Sequence, residues 1–437
     1  MRRWDLARYT LTSCAAAALL VGCGGSQGSI GAPGVMSQNR GIAPTRSTTL
    51  RHASGSSYQV VYNFAGGSDG AKPLAALINV NGTLYGTTAR GGSKCNDSTS
   101  AGSGCGTVFS VTTSGQETVL HRFTGGSDGV YPRAALIDVN GTLYGTTEYG
   151  GPHKSICGGS CGTVFTITPS GSENILHFFA GPPDGAFPAA GLINVNGTLY
   201  GTTTEGGISG GCRLAGPKVG CGTVYSMSPS GSENVLCRLD GPITGSNPVA
   251  SLIDVNGTMY GATELGGGRG QGSVYSVTAS GSLTVLHHFT YSGGDGEAPA
   301  AALIDVKGLL YGTASSGSKS ERGTVFSITT TGTVKLLHSF SHSGSDGSRP
   351  HASLINVHGT LYGTTVVGGG KICNQNEGCG TVFSITTGGT EQVLHSFGNS
   401  GDGYYPYASL INVNGTLYGT TSSGGTHGMG TIYAITP

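Results

Sequence analysis

The peptide INVNGTLYGTT occurs three times without a change, at residues 78–88, 193–203 and 411–421. Its core recurs more often. Aligning the chain on the tyrosine of the LYG core gives seven copies, spaced 51 to 60 residues apart: Tyr85, Tyr144, Tyr200, Tyr260, Tyr311, Tyr362 and Tyr418. Repeats of this length indicate a stacked or circular repeat architecture. No other feature constrains the fold of this 437-residue chain as strongly.

Each copy contains four short segments that are typical of β-strands. The segments LINVN and TLYGTT are joined by Asn-Gly, which suits a two-residue type I′ hairpin turn; Lys307 and His358 replace the Asn in two copies. A glycine-rich loop of variable length leads to GTVFSIT, and a short turn leads to a fourth segment such as ETVLHRF. Apolar residues fall on both faces of these segments, as expected of a sheet packed between two others. The 81 glycines also disfavour helices.

The two ends of the chain complement each other. The last copy stops at GTIYAITP without a fourth segment, whereas YQVVYNF at residues 58–64 precedes the first copy and matches the missing piece. We therefore predict an all-β, seven-bladed β-propeller of four-stranded antiparallel blades, closed by the N-terminal strand joining the C-terminal blade. This closure protects the edge strands, whereas an open solenoid would need capping units.

The units resemble the Gloeo/Verruco (GloVer) tandem repeat of exported bacterial proteins, whose core reads LYGTT, then GG, then GTVF. Here the pattern stands as LYGTTARGG…GTVFSV at residues 84–111 and recurs six more times, over about 380 residues. The fourth and fifth copies depart most, with MYGATELGG and LYGTASSGS. The resemblance implies an exported propeller-like protein, but it carries no activity to transfer.

The N-terminus has the pattern of a lipoprotein signal. Arginines at positions 2, 3 and 8 precede an apolar stretch that ends in LVGC at Cys23. We predict a signal peptide at 1–22, a lipid attached to Cys23, a disordered Gly/Ser/Pro tether at 23–57 and the propeller at 58–437. Gly24 in place of Asp favours the outer membrane of the bacterial cell envelope. An ordinary cleaved signal is the alternative.

Eight of the eleven cysteines form pairs within single loops between the second and third strands. The predicted disulfides are Cys95 with Cys105, Cys157 with Cys161, Cys212 with Cys221, and Cys373 with Cys379. An exported address lets such bonds persist. A zinc site is the competing interpretation, but no unit offers four convergent ligands, and we expect no metal here. Cys237, which stands where other fourth strands have His, is expected to be a buried, inert thiol.

Two polar rows repeat with the blades. The motif VLHxF places a His in five fourth strands, and six links between blades contain Asp-Gly followed by Pro: His121, His177, His287, His338 and His395; Asp69, Asp128, Asp184, Asp295, Asp346 and Asp402. We expect structural hydrogen bonding by the His row, because the His residues lie on separate strands. We expect turn formation by the Asp row, with calcium binding as the alternative.

A third row lies on the first strands: Asn79, Asp138, Asn194, Asp254, Asp305, Asn356 and Asn412. These strands are expected to be innermost, so the row could face the channel and hold a cation or polar ligand. The simpler expectation is a hydrogen bond to the neighbouring blade.

Recognition is expected on one face of the ring. The links between blades and the loops between second and third strands emerge on the same face, and variable loops on a rigid scaffold commonly bind partners. The candidate binding residues are aromatic: Tyr131, Tyr149, Phe187, Tyr404 and Tyr405. Other loop candidates include His153, Lys154, Arg213 and Lys218.

The leading functional hypothesis is a lipid-anchored binding or scaffold module for protein or polysaccharide. The alternative is a polysaccharide lyase or hydrolase with its site at the channel mouth. Lys+Arg and Asp+Glu are equal at 22 each, which argues against nucleic acid as a partner. No cofactor is expected, since the one Trp lies in the signal and motifs of known propeller enzymes are missing. We expect a monomer that contacts the membrane through its lipid alone.

Overall fold

The computed structural model describes residues 56–95, 103–152, 157, 160–207, 212, 220–290, 294–317, 320–341, 345–371, 373 and 377–437. The proposed signal peptide, Cys23 and nearly all of the proposed tether lie outside the described residues. So do His153, Lys154, Arg213 and Lys218.

The described residues form seven four-stranded antiparallel sheets, which are the blades of a β-propeller. The first strands are Ile78–Val80, Ile137–Val139, Ile193–Val195, Ile253–Val255, Ile304–Val306, Ile355–Val357 and Ile411–Val413. The second strands are Thr83–Thr88, Thr142–Thr147, Thr198–Thr203, Thr258–Thr263, Leu309–Ala314, Thr360–Thr365 and Thr416–Thr421.

The outer half of each blade contains the third and fourth strands. The third strands are Thr107–Thr112, Thr163–Ile167, Thr223–Met227, Ser273–Thr278, Thr324–Thr329, Thr381–Thr386 and Thr431–Thr436. The fourth strands are Glu117–Arg122, Glu173–Phe178, Glu233–Arg238, Leu283–His288, Val334–Ser339, Glu391–Ser396 and, for the seventh blade, Ser57–Asn63.

The N-terminal strand closes the ring as predicted. Ser57–Asn63 pairs antiparallel with Thr431–Thr436, with Ser57 opposite Thr436 and Asn63 opposite Thr431. The strand begins one residue before the predicted start of the propeller. The first strands of consecutive blades contact one another around the whole ring, including those of the seventh and first blades. The circle of blades is therefore complete.

A glycine and an aromatic residue make the blades pack closely. In the first blade, a Cβ on Gly86 would lie 2.6 Å from the ring of Phe109 and 2.8 Å from Leu77, so the glycine of LYG leaves room for the aromatic ring of GTVF. That ring meets the last aromatic residue of the preceding blade: the Phe64 and Phe109 centroids are 5.2 Å apart with a T-shaped geometry. Such contacts add to the area buried between blades.

Threonine hydroxyls also join neighbouring blades. Thr87 Oγ1 donates to the carbonyl oxygen of Ala134 in the next blade, and five equivalent threonines make similar bonds: Thr146, Thr202, Thr313, Thr364 and Thr420. The fourth blade has Ala262 at this position. The divergent MYGATE copy has therefore exchanged a hydrogen bond between blades for a methyl group.

Links and loops pair on one face of the ring, as predicted. The link residue Val130 bridges to Tyr149, which follows the second strand of the same blade. Three of the equivalent pairings are two-residue strands: Gly185–Ala186 with Glu205–Gly206, Gly347–Ser348 with Val367–Gly368, and Gly403–Tyr404 with Ser423–Gly424. One link also contains a short 3₁₀ turn, Gly126–Asp128. We call this side of the ring the loop face.

Candidate functional site

Each link places one side chain at a backbone position with a positive φ, directly before a proline. The φ angles run from 52° to 63°. The seven residues, which we call the pre-proline ring, are Lys72, Tyr131, Phe187, Asn247, Ala298, Arg349 and Tyr405. Non-glycine residues adopt this conformation rarely, and it persists where the surroundings impose it.

Two backbone hydrogen bonds impose the conformation. The amide of Tyr131 donates to the carbonyl oxygen of Cys105 (2.9 Å), and its own carbonyl oxygen accepts from the amide of Glu148 (3.2 Å). The same pair of bonds recurs at the other six positions. Because the backbone alone makes these bonds, the side chain is free to vary. The pre-proline ring is thus a place where a symmetric scaffold presents unlike groups.

Three aromatic residues of the second and third blades form a continuous surface. The ring centroids of Tyr131 and Tyr149 are 6.2 Å apart, and those of Tyr149 and Phe187 are 5.3 Å apart. The guanidinium of Arg90, from the first blade, lies 5.2 Å from the centroid of Tyr131, within cation–π range. We call Arg90, Tyr131, Tyr149 and Phe187 the aromatic arc; each is partly exposed.

The structure places the other two candidate aromatics apart from this arc. Tyr404 and Tyr405 belong to the seventh blade and contact each other edge to face, with centroids 4.9 Å apart. Tyr405 occupies the pre-proline ring, as Tyr131 and Phe187 do. The five candidate aromatic residues therefore lie on one face but form two groups.

Charged residues from several blades converge beside the aromatic arc. Each link runs from an outer fourth strand to an innermost first strand, so the residues that end it lie near the axis. Arg133 pairs with Glu148 at 3.3 Å, with the two side chains 31% and 14% exposed. The charge of Arg133 also acts on Glu264 of the fourth blade and His351 of the sixth. Groups of unlike chemistry from the second, fourth and sixth blades thus lie close enough for their charges to interact near the axis.

Burial and positively charged neighbours keep the imidazole of His351 neutral. Burial comes first among the causes, followed by the charges of Arg133 and Arg349, and together they lower the pKa of His351 to about 4. Its ring lies 5.7 Å from that of Tyr407, which is 40% exposed. Burial likewise raises the pKa of Tyr131 and of Tyr149, so both phenols stay protonated.

A cleft of about 930 Å³ opens on the loop face where the first and seventh blades meet. Its lining includes Lys72, Arg90 and Lys94, together with Met429. Arg90 belongs to both the cleft and the aromatic arc. The two features therefore form a continuous surface at the seam of the ring.

The four predicted disulfide pairs are present. Cys95 bonds Cys105, Cys157 bonds Cys161, Cys212 bonds Cys221 and Cys373 bonds Cys379. The second cysteine of each pair is buried. It is followed directly by Gly-Thr, and the third strand begins at this Thr. Among the described cysteines Cys237 alone is a free thiol, and burial raises its pKa to about 11. This thiol is therefore protonated at neutral pH, as an inert residue would be.

The His and Asp rows meet, which the sequence analysis did not foresee. His121 Nε2 lies 2.9 Å from Asp128 Oδ1, His287 Nε2 lies 2.6 Å from Asp295 Oδ2, and His395 Nε2 lies 3.1 Å from Asp402 Oδ2. The prediction of structural hydrogen bonding is confirmed for these three His residues. The Asp carboxylates also accept backbone amides of their own links, as Asp128 does from Thr124.

A glutamate from the next blade joins several of these pairs. It begins the fourth strand of that blade, as Glu233 does beside His177 and Asp184. Burial, followed by the charge of Asp184, raises the pKa of Glu233 to about 7. Burial raises the pKa of Glu173 and of Glu391 to about 7 as well. Despite its burial, the pKa of Asp184 is lowered by the nearby imidazole of His177, whose Nε2 lies 3.5 Å from Asp184 Oδ2, and by hydrogen bonds from the backbone amides of Gly185 and Ala180.

The row on the first strands has a different role from both that we considered. Asn79 Oδ1 accepts a hydrogen bond from the amide of Gly82, at 3.0 Å, in the hairpin turn of its own blade. All six equivalent residues make this local bond, at 2.8 to 3.0 Å. The expectation of a bond to the neighbouring blade is therefore wrong: the side chain closes its own turn.

The sequence model of the Gloeobacter/Verrucomicrobia repeat matches residues 39–215 and 210–433. The chain belongs to this family. The two matched ranges of this Gloeobacter/Verrucomicrobia repeat protein together extend over the described blades, up to the last strand. Comparison with functionally curated proteins gave no match.

Solved propellers resemble this Gloeobacter/Verrucomicrobia repeat protein at low identity. A putative 6-phosphogluconolactonase from Bacteroides uniformis is 14% identical, covers 73% of this chain and 83% of its own, and superimposes with a TM-score of 0.46. A gluconolactonase from Xanthomonas campestris is 14% identical, covers 74% and 91%, and has a TM-score of 0.40. Likeness at this level transfers no activity or site.

No helix among the described residues is long and apolar enough to cross a membrane. The four disulfides are compatible with export.

Proposed function

We propose that this protein binds a polysaccharide on its loop face, with the aromatic arc as the platform for sugar rings. The observation that carries the proposal is the continuous run of the rings of Tyr131, Tyr149 and Phe187, tilted by 59° and 60° to one another, at positions where the fifth blade has only Ala298 and Ser316. Exposed aromatic rings with polar edges contact the apolar faces of sugars while their polar groups stay hydrated.

The surroundings of the arc support an extended ligand. The cleft at the seam continues the surface beyond Arg90, and it offers Lys72 and Lys94 as hydrogen-bond donors. A ligand that spans arc and cleft would contact the first, second, third and seventh blades at once. The propeller serves as the rigid scaffold that holds these groups. Binding of a protein in place of a polysaccharide is an outcome that the experiment below distinguishes.

The test uses substitutions that the chain itself tolerates. Tyr131→Ala and Phe187→Ala copy Ala298, and Tyr149→Ser copies Ser316, each at the equivalent position of the fifth blade. Glycan arrays would identify a ligand for the unaltered protein, and calorimetric titration would measure its affinity. We expect each substitution to weaken binding by about tenfold, which corresponds to a loss of about 1.4 kcal/mol for an aromatic side chain that the ligand covers.

The matched control is Ile243→Ser, which changes a residue that is 64% exposed on a link away from the arc. It should leave the affinity unchanged. A variant that carries all three arc substitutions provides the decisive comparison. If it binds the same glycans as tightly as the unaltered protein, the proposal is wrong. A pull-down that recovers a protein ligand through the arc, with no glycan bound, would assign the surface to a protein partner.

A second candidate is a polysaccharide lyase, which the convergence at the channel mouth favours. A β-elimination requires a base, a proton donor and a cation near the sugar carboxylate. The neutral imidazole of His351, the phenol of Tyr407 and the guanidinium of Arg133 supply these chemistries from three blades. Ultraviolet absorbance of unsaturated products that is lost in His351→Gln would support it. No absorbance change with any bound glycan would exclude it.

We further propose that the protein is a monomeric lipoprotein of the outer membrane, held by Cys23, with neither a nucleic-acid partner nor a cofactor. The apolar stretch that ends in LVGC at Cys23 supports the anchor. Cys23→Ser should move the protein from the membrane fraction to the soluble fraction. Light scattering of the detergent-free soluble domain should give the mass of one chain.

A further inference from the structure

Three interfaces between blades bring together a histidine and two carboxylates. The His comes from a fourth strand, the Asp from the link that follows it, and the Glu from the start of the fourth strand in the next blade. We call these sets the inter-blade clusters. In the described part of the chain they are His121, Asp128 and Glu173; His177, Asp184 and Glu233; and His338, Asp346 and Glu391.

The spacing of the side-chain atoms suits a shared ion. In each cluster, one potential ligand atom from every residue lies within 4.8 Å of the other two. His177 Nε2 is 3.5 Å from Asp184 Oδ2, and His338 Nε2 is 3.6 Å from Asp346 Oδ1. Two ligands of a tetrahedral zinc ion, each bonded at about 2.1 Å, are roughly 3.4 Å apart. These two clusters therefore already have the ligand separation of a metal site, whereas in the first cluster His121 Nε2 hydrogen-bonds Asp128 Oδ1 at 2.9 Å and would exchange this bond for one to the ion.

Atoms of these clusters are buried without a hydrogen-bond partner. They are Nε2 of His177 and of His338, and Oε1 of Glu173, Glu233 and Glu391, judged among the described residues. Buried polar atoms in native proteins nearly always have a partner, so each unpaired atom requires an explanation. A bound cation would satisfy the lone pairs of all five atoms.

We propose that each inter-blade cluster binds one Zn²⁺ through one imidazole nitrogen and two carboxylate oxygens, which joins two neighbouring blades. The mixed nitrogen and oxygen donor set suits zinc, which accepts both and leaves a fourth position for water. Calcium prefers six to eight oxygen ligands, and magnesium keeps several waters around one or two carboxylates. The His and Asp side chains of the second and third clusters are about one-fifth exposed.

Two of the remaining four interfaces supply natural controls. Between the fourth and fifth blades, His287 and Asp295 are present but Val334 replaces the Glu, and His287 hydrogen-bonds Asp295 directly at 2.6 Å. Between the third and fourth blades, Cys237 and Leu283 replace His and Glu and pack in an apolar cluster. The fold thus accommodates an apolar residue at the Glu position.

The experiment is a zinc titration of the intact, disulfide-bonded protein after chelator treatment. We expect three ions per chain by calorimetry, confirmed by elemental analysis, and a melting temperature that rises with zinc. The variant Glu173→Val/Glu233→Val/Glu391→Val copies Val334. It should fold, as judged by its melting transition without zinc, and its affinity for zinc should fall at least tenfold.

A variant that adds the missing ligand tests the same geometry by creating a fourth zinc site. Val334→Glu completes the set with His287 and Asp295 and should raise the stoichiometry from three ions to four. X-ray absorption at the zinc edge should show nitrogen and oxygen ligands. The proposal is overturned if the triple variant binds zinc as the unaltered protein does, if zinc does not bind, or if sulfur ligands appear.

Discussion

Three tyrosines of the third strands bury a hydroxyl group at a position where other blades have phenylalanine. Tyr225, Tyr275 and Tyr433 occupy the position of Phe109 in GTVF, and all three are fully buried. Their hydroxyl groups have no hydrogen-bond partner among the described residues. Each hydroxyl lies against the glycine of LYG, as that of Tyr275 lies against Gly261. An unpaired buried hydroxyl lowers the free energy of unfolding.

We therefore expect Tyr275→Phe to stabilise the protein. Removing the unpaired hydroxyl should raise the free energy of unfolding by about 1 kcal/mol, because its desolvation is no longer uncompensated. Chemical denaturation would measure the change. Phe326→Tyr at the equivalent position of the fifth blade is the reciprocal control and should destabilise by a similar amount. A loss of stability in Tyr275→Phe would show that the hydroxyl has a partner.

His351 gives a prediction about pH. Its pKa is about 4 in the folded protein, below the ordinary value of 6.5, so the unfolded chain binds its proton first as pH falls. Stability from this residue is complete above about pH 6.5 and decreases as pH falls towards 4. His351→Ala, which copies Ala300 of the fifth blade, should flatten the dependence of the unfolding free energy over this window. An unchanged slope would contradict the prediction.

At the scale of the element, the hairpin between first and second strands depends on one left-handed residue. Five blades have Asn there, as the first has Asn81 with a φ of 52°. Lys307 and His358 adopt the same conformation, with φ of 58° and 52°. Asn reaches this region more readily than a long side chain does. The two substituted turns therefore carry backbone strain that the others largely avoid.

Lys307→Asn should relieve this strain. We expect an increase of about 0.5 to 1 kcal/mol in the free energy of unfolding, since the bond from Gly308 to Asp305 is retained. Thermal and chemical denaturation would measure it. The reverse change, Asn256→Lys in the preceding blade, should destabilise by a similar amount. If neither change alters the free energy of unfolding, the prediction of backbone strain at this turn position is wrong.

At the scale of the whole molecule, closure of the ring depends on Ser57–Asn63. A chain that begins at Ala65 would leave Thr431–Thr436 as an open edge and expose Ile432 and Ile435, which are buried in the closed ring. We expect aggregation on size-exclusion chromatography and a lower, broader melting transition.

A rearranged chain provides the control. It begins at Ala65 and carries residues 57–64 after Pro437, joined by Ser-Gly, so that Pro437-Ser-Gly-Ser57 copies the Pro-Ser-Gly-Ser turn at residues 169–172 of the second blade. This chain builds the seventh blade from consecutive strands, as in the other six, and should recover the original melting temperature. A truncated chain that melts like the intact protein would show that the terminal strand is dispensable.

The repeat alone was sufficient for the fold because its information is local. Asn-Gly turns, alternating strand segments and glycines that admit aromatic rings define one blade, and seven copies with complementary ends define a ring. Disulfide pairs were predictable for the same reason, since each lies within one loop. The role of Asn79 was misjudged although its partner Gly82 is only three residues away, because its place on an inner strand suggested a longer reach.

The sequence by itself determined the blade, the number of blades and the strand that closes the ring. Only the tertiary structure decided which side chains from different blades meet. His177 and Glu233 are 56 residues apart in the sequence. They become neighbours because the fourth strand of the second blade lies beside the start of the fourth strand of the third blade. The convergence of Arg133, Glu264 and His351 at the channel mouth likewise requires the circle to close. Periodicity specifies a unit, whereas contacts between units depend on how those units pack and twist.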